Sequence, residues 1–406
     1  MKKFFSFLIA LLLALSVATG ASASKRIDAS AAVMVDASTG QVIYEQNPNK
    51  KLPVASVSKL LTIAVIHDEL KQNVITANSK VQVTPDVAAI SNDPSYSSIG
   101  LQAGQSYTVR ELVNAAMVKS ADGATLALAM ADGSNIEEFN LKLQQKAKDL
   151  GLKKCSIVNP VGLTNGDLKN LKLNQYSDKA ENAMTAADAA ILARYLIRSY
   201  PDILQVTAQK SASFYIAKNK TVKEENLNKM LPGDKYTVSG VQIDGLKTGT
   251  SDAAGACFVS TGLYRGHRII TVVLHANGND KDARFTTTQQ LYNMLKQTPL
   301  QEITLPKNLR QQRVANGNQR TTDIKPQKLM IWGSKPVRHY TLAVNYDHQK
   351  QNKRGRLLAP IRKNERVGEI ELSSPDIRTI NGEPLTYDLY SEEQVPRGNF
   401  WQRLWH

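Results

Sequence analysis

The residues best placed to do chemistry begin at Ser56-Val57-Ser58-Lys59. A serine in the first turn of a helix puts its hydroxyl near unpaired backbone N–H groups, which favour developing negative charge. A lysine three residues later lies on the same face, within reach of that hydroxyl. Once desolvated, such a lysine loses basicity and its neutral amine can take the serine proton. By itself the pattern is weak, since S-x-x-K arises by chance about once or twice in a chain this long.

Two more elements follow in order. Ser120-Ala121-Asp122 falls in an Ala-rich stretch with helical pattern, and Lys247-Thr248-Gly249-Thr250 ends a strand-like run. Gly249 permits close backbone approach to a ligand. S-x-x-K, then S-D-N, then K-T-G is the signature of penicillin-binding proteins and class A β-lactamases. Here the middle element carries aspartate instead of asparagine. An asparagine amide both donates and accepts, whereas a carboxylate only accepts. Paired with Lys59 or Lys247, it would also raise that lysine's pKa.

On these residues the sequence resembles the low-molecular-mass penicillin-binding proteins that act as D-alanyl-D-alanine carboxypeptidases. Further landmarks agree: Ala37–Tyr44, Pro53–Ser56, Asn159–Leu163, Met184–Asp188, Asp244–Thr250 and Arg284-Phe285. The likeness is strongest over about residues 30–297. It implies an α+β fold, an antiparallel sheet flanked by helices, followed by a small all-β domain. It also implies roles. Ser56 attacks the penultimate D-alanine carbonyl of a peptidoglycan stem pentapeptide, or a β-lactam, and forms an acyl ester. Lys59 takes the serine proton and Ser120 relays one to the leaving D-alanine. Lys247 and Thr248 bind the terminal carboxylate, with Asp122 beside the substrate. The backbone N–H groups of Ser56 and Thr250 form the oxyanion hole. No metal or organic cofactor is required.

Two alternatives follow from the same residues. Asp122 would suit a catalytically weak, wall-binding relative. A β-lactamase would add a glutamate in an E-x-x-L-N loop, and Glu224–Asn228 fits by letter. It begins only 23 residues before Lys247, whereas the lactamase loop falls about midway between the second and third motifs, so an ordinary charged loop is the better reading.

The elements that must position these residues alternate between helical and strand patterns as far as about Gln297. Residues 32–36 and 41–44 read as a hairpin around a Gly-containing turn. Helical pattern covers 56–70, 109–131, 185–199 and a stretch reaching Leu295. Residues 241–247, 256–263 and 268–276 read as an antiparallel meander. Beyond Pro299 short strand-like runs, such as 329–332, 339–345 and 368–372, alternate with Pro, Gly and Asn. The organisation expected is 1–23, 24–297, 298–392 and 393–406.

Residues 1–23 read as a secretory signal: Lys2 and Lys3, an apolar run to Val17, then Ala21-Ser22-Ala23. The chain has 406 residues, 51 Lys plus Arg and 36 Asp plus Glu, a formal charge of +15. For an exported protein that excess points to anionic lipid or wall polymer, with no nucleic acid. Residues 298–406 hold 18 Lys/Arg against 11 Asp/Glu, with a cluster at Lys350, Lys353, Arg354, Arg356, Arg362 and Lys363. The final stretch 397–406 places Phe400, Trp401, Leu404 and Trp405 on one helical face, beside Arg397 and Arg403. Such a tail suits an anionic membrane surface. The two cysteines, Cys155 and Cys257, exclude a disulfide scaffold or multi-cysteine metal site, and the six histidines show no zinc-ligand spacing.

Overall fold

The computed structural model describes residues 26–278 and 280–405, so the expected secretory signal lies outside the described residues. Five strands form the central sheet: β1 (Ala29–Asp36), β2 (Val42–Gln46), β3 (Gln242–Ser251), β4 (Gly255–Tyr264) and β5 (His267–Ala276). Their order is β2-β1-β5-β4-β3, all antiparallel, with β3 at an edge. The predicted meander is therefore present, and its first strand runs four residues past Lys247 to include the whole Lys247–Thr250 motif.

Both faces of the sheet are apolar, because successive side chains point to opposite sides. On β1, Ala31, Val33 and Val35 join one core, while Ala29, Ala32 and Met34 join the other. The first core receives α1 (Lys59–Lys71), α2 (Val109–Val118), α3 (Asp122–Leu128) and α4 (Ala186–Ser199). The second receives α5 (Ala283–Gln297) through Phe285, Leu291, Tyr292 and Leu295. Helix α1 is buried from Lys59 to Ile66 on every side, as a helix apolar all round must be.

Helix starts follow side-chain chemistry. Thr108 with Glu111 and Thr185 with Asp188 form capping boxes at α2 and α4. Two expectations are corrected. The stretch predicted as helix from 56 opens with a 3₁₀ turn, Ala55–Ser58, so Ser56 lies in that turn and the α-helix proper starts at Lys59. The stretch predicted as one helix over 109–131 is two helices, broken where Ser120 adopts a left-handed φ of 62°. That conformation is costly for a side chain other than glycine and turns Ser120 out of the helix.

After Gln297 the strands Gln311–Ala315, Thr321–Pro326, Thr341–Tyr346, Leu357–Leu358, Arg366–Ser373 and Leu385–Ser391 make a six-stranded sheet with its own core. Trp332 joins the two parts of the chain. Its indole Nε1 donates to Asp36 (3.0 Å), its ring stacks on Tyr264, and its backbone exchanges hydrogen bonds with the Gln41 amide.

Candidate active site

Strand β3 and the turn at Ala55–Ser58 meet backbone to backbone. A Cβ built on Gly249 would sit 2.4 Å from the Val54 carbonyl oxygen and 3.0 Å from the Val57 nitrogen, so only glycine fits there. Ser56 and Thr250 thus flank the closest approach of helix start and sheet edge. Ser56 is partly exposed, whereas Lys59 is fully buried behind it.

Lys59 Nζ has three neighbours: Ser56 Oγ at 2.7 Å, Asp122 Oδ1 at 2.6 Å and the Val161 carbonyl oxygen at 2.8 Å. The carboxylate and the carbonyl can only accept. In a neutral amine they take both N–H bonds, and the lone pair is left facing the Ser56 hydroxyl. This is the geometry of a serine with its base. Burial pushes Lys59 below the ordinary lysine range, against the upward pull of Asp122. The sequence left open whether Asp122 pairs with Lys59 or Lys247 and led us to expect the paired lysine to rise. The structure places it on Lys59, and desolvation decides the net direction downward.

Lys247 is also buried. Its Nζ donates to Ser120 Oγ (2.8 Å) and to the carbonyl of Thr248 (3.0 Å). Burial and then the neighbouring Lys59 charge, with Arg284 adding, push it well below the usual lysine range. The left-handed backbone at Ser120 is what aims its hydroxyl at this amine. Thr248 is buried on β3, and its hydroxyl takes no protein hydrogen bond among the described residues.

For three groups the contacts at the site were not legible in the sequence, although two of them fall in the landmarks Asn159–Leu163 and Arg284-Phe285. Val161 supplies the carbonyl on Lys59, and the Asn159–Leu163 landmark explains how. Asn159 Oδ1 accepts from the amides of Val161 and Gly162, while its Nδ2 donates to Leu163. Gly162, at φ 85°, has no room for a Cβ against the Ala55 carbonyl. Ser97 is the second: its amide donates to Asp122 Oδ2 (3.1 Å) and its hydroxyl to the Lys119 carbonyl (2.6 Å). The third is Arg284, buried behind β3. Its guanidinium donates to the carbonyls of Gly249 (2.8 Å) and Cys257 (3.1 Å) and to the Thr250 hydroxyl. The sequence marked it only as part of the Arg284-Phe285 landmark, with no role attached.

Of the Glu224–Asn228 segment, expected as an ordinary charged loop, Glu224 and Glu225 end the strand Lys220–Glu225. Lys119 pairs with Glu224, and the Asn226 side chain bridges the carbonyls of Thr207 and Gln209. It is a structural pin. Cys155 and Cys257 are both free thiols. Among the described residues no group of three or more His, Cys, Asp or Glu side chains could hold a metal ion.

Residues 17–278 match the family described as D-alanyl-D-alanine carboxypeptidase (Peptidase_S11). This chain belongs to that family. It is 30% identical over 259 residues to the D-alanyl-D-alanine carboxypeptidase DacF of Bacillus subtilis, covering 62% of this chain and 58% of the relative. It is 26% identical over 385 residues to DacD of Escherichia coli, covering 93% of this chain and 89% of the relative. For DacF and for E. coli DacC the match spans about three fifths of the relative's length. Among solved structures, a peptidoglycan synthesis regulatory factor (PBP3) from Streptococcus pneumoniae superposes with a TM-score of 0.79 at 28% identity, over 91% of this chain and 100% of that one. The penicillin-binding α+β fold expected from the sequence is present, and its all-β second part with it. At position 122 the aspartate stands in direct contact with Lys59, so its charge bears on that lysine.

Proposed function

We propose that this protein is an exported serine-type D-alanyl-D-alanine carboxypeptidase acting on peptidoglycan stem peptides, and that penicillin acylates it. The observation that carries the reading is the three-neighbour geometry of buried Lys59, which leaves a neutral amine only Ser56 to deprotonate. Ser56 Oγ attacks the carbonyl carbon of the penultimate D-alanine as its proton passes to Lys59. The oxyanion is received by the Ser56 and Thr250 amides across the contact at Gly249. Collapse breaks the C–N bond, and Ser120, hydrogen-bonded to Lys247, passes a proton to the leaving amine. Lys247 and Thr248 give the terminal carboxylate a desolvated seat, with the Arg284 charge behind β3 adding to the positive field there. Water then hydrolyses the ester.

Acylation by penicillin followed by mass spectrometry tests this. Wild type gains one adduct on Ser56 and releases free D-alanine from a stem-peptide mimic. Ser56→Ala does neither, and labelling that persists in the variant overturns the nucleophile.

We further propose a catalytic part at 24–297, a β-rich part at 298–392 and a membrane-associating tail at 393–406, preceded by a secretory signal at 1–23. The tail reading is supported by Phe400 and Trp401, 63% and 69% exposed on the terminal helix Phe400–Trp405. Exposed Lys353, Arg354, Arg362 and Lys363 lie on loops of the six-stranded sheet, and Ile361 beside Arg362 bridges to Val395 in the chain leading to the tail. Lys350 is paired with Glu365 and Arg403 is partly buried, so the anionic surface would meet a smaller basic set than the sequence offers. No described helix is long and apolar enough to cross a membrane.

A further inference from the structure

The edge strand sets the direction in which a peptide must leave the site. Among the described residues, strand β3 is paired with β4 on one side only. An extended peptide can therefore add to its free edge by main-chain pairing. With the terminal carboxylate at Lys247 and Thr248 and the scissile carbonyl at Thr250, the peptide runs antiparallel to β3. Its upstream residues then pass Ser251, at about 3.3 Å per residue.

Glu181 stands at that point. Its Oε2 accepts from the Ser251 hydroxyl at 3.0 Å. Its backbone is anchored beside the Ser56 turn, because the next residue, Asn182, accepts from the Val54 amide two residues before Ser56. Asn182 is buried and bonded to the backbone of Val158 and Asn159. The short pairing of Leu52–Pro53 with Ala183–Met184 locks the same junction. Glu181 is thus a partly buried carboxylate on a rigid support beside the end of β3. Among the described residues it forms no ion pair, in a chain with 51 cationic side chains.

We propose that Glu181 is a specificity residue, receiving a cationic side chain on the residue immediately N-terminal to the D-alanyl-D-alanine pair. The carboxylate keeps Oε1 for a substrate ammonium while Oε2 stays on Ser251. This rests on the carboxypeptidase reading above.

The test compares two peptides that differ only in one charge: Nα-acetyl-L-lysyl-D-alanyl-D-alanine and its Nε-acetylated form. Glu181→Gln retains an oxygen for Ser251 and loses the charge. For the ammonium peptide the variant should raise KM about three- to tenfold with kcat within about twofold, the range of a partly exposed ion pair. The neutral peptide should be turned over unchanged. Glu181→Lys should reverse the preference. Equal effects on both peptides would make Glu181 a support for the β3–β4 turn and overturn the proposal, as would no effect on either. If wild type releases D-alanine from neither peptide, the carboxypeptidase reading falls first and this proposal falls with it.

Discussion

Asp122 holds Lys59 with one carboxylate oxygen and the Ser97 amide with the other, at 2.6 and 3.1 Å. Asp122 and Lys59 are 2% and 0% exposed, so neither contact is diluted by water. The aspartate is thus fitted to two donors at once. An asparagine could serve only one of them without turning its own N–H₂ toward the other.

Asp122→Asn separates these two duties. Removing the anion leaves burial to push Lys59 further down. A lower pKa means a larger neutral fraction at any pH below it, so the rising limb of penicillin acylation moves to lower pH. A fall of about one unit would raise the rate at neutral pH about tenfold, equivalent to roughly 1.4 kcal/mol. The mismatch at Ser97 costs about 1–3 kcal/mol of stability. A pH–rate profile and a melting curve of both forms check this, and a limb that stays in place or moves upward refutes the coupling.

Gly249→Ala probes the contact between the edge strand and the Ser56 turn. The added Cβ meets the Val54 carbonyl at 2.4 Å, and backbone must move. Displacing one oxyanion donor costs on the order of 10²-fold or more in acylation. Stopped-flow acylation measures it. Undiminished acylation in a folded variant would show that the strand and the turn need not touch.

Deleting residues 400–406 removes the exposed Phe400 and Trp401. Cosedimentation with anionic vesicles should fall several-fold, because a short amphipathic segment binds in proportion to its apolar area. D-alanine release from a soluble peptide should stay unchanged, since the tail supplies none of the hydrogen bonds around Ser56, Lys59, Ser120 or Lys247. Vesicle binding that survives the deletion would move the contact to the basic loops at Lys353–Arg354 and Arg362–Lys363.

Much of the molecule is legible from local chemistry along the chain. The three motifs, the hairpin near Gly40 and the β-rich runs near 241–276 are signals carried within a few residues, by side-chain alternation and turn residues. The change of texture at Gln297 is of the same kind, as it marks where helical periodicity gives way to short strands. The family resemblance rests on these local patterns, and so does the grouping of Ser56, Lys59, Ser120 and Lys247 as a set.

Tertiary structure decided what lies between distant positions. Lys59 meets Asp122 and Val161 across 63 and 102 residues, and Lys247 meets Ser120 across 127. No spacing rule reaches that far. The break at Ser120 is invisible along the chain because an Ala-rich stretch favours helix, and the left-handed turn is held by distant partners, Lys247 on the Ser120 hydroxyl and Ser97 on the Lys119 carbonyl and the Asp122 amide. The direction of the Lys59 shift lies beyond the sequence for the same reason. A carboxylate neighbour raises a lysine and burial lowers it, and which one prevails depends on how completely the surrounding core excludes water.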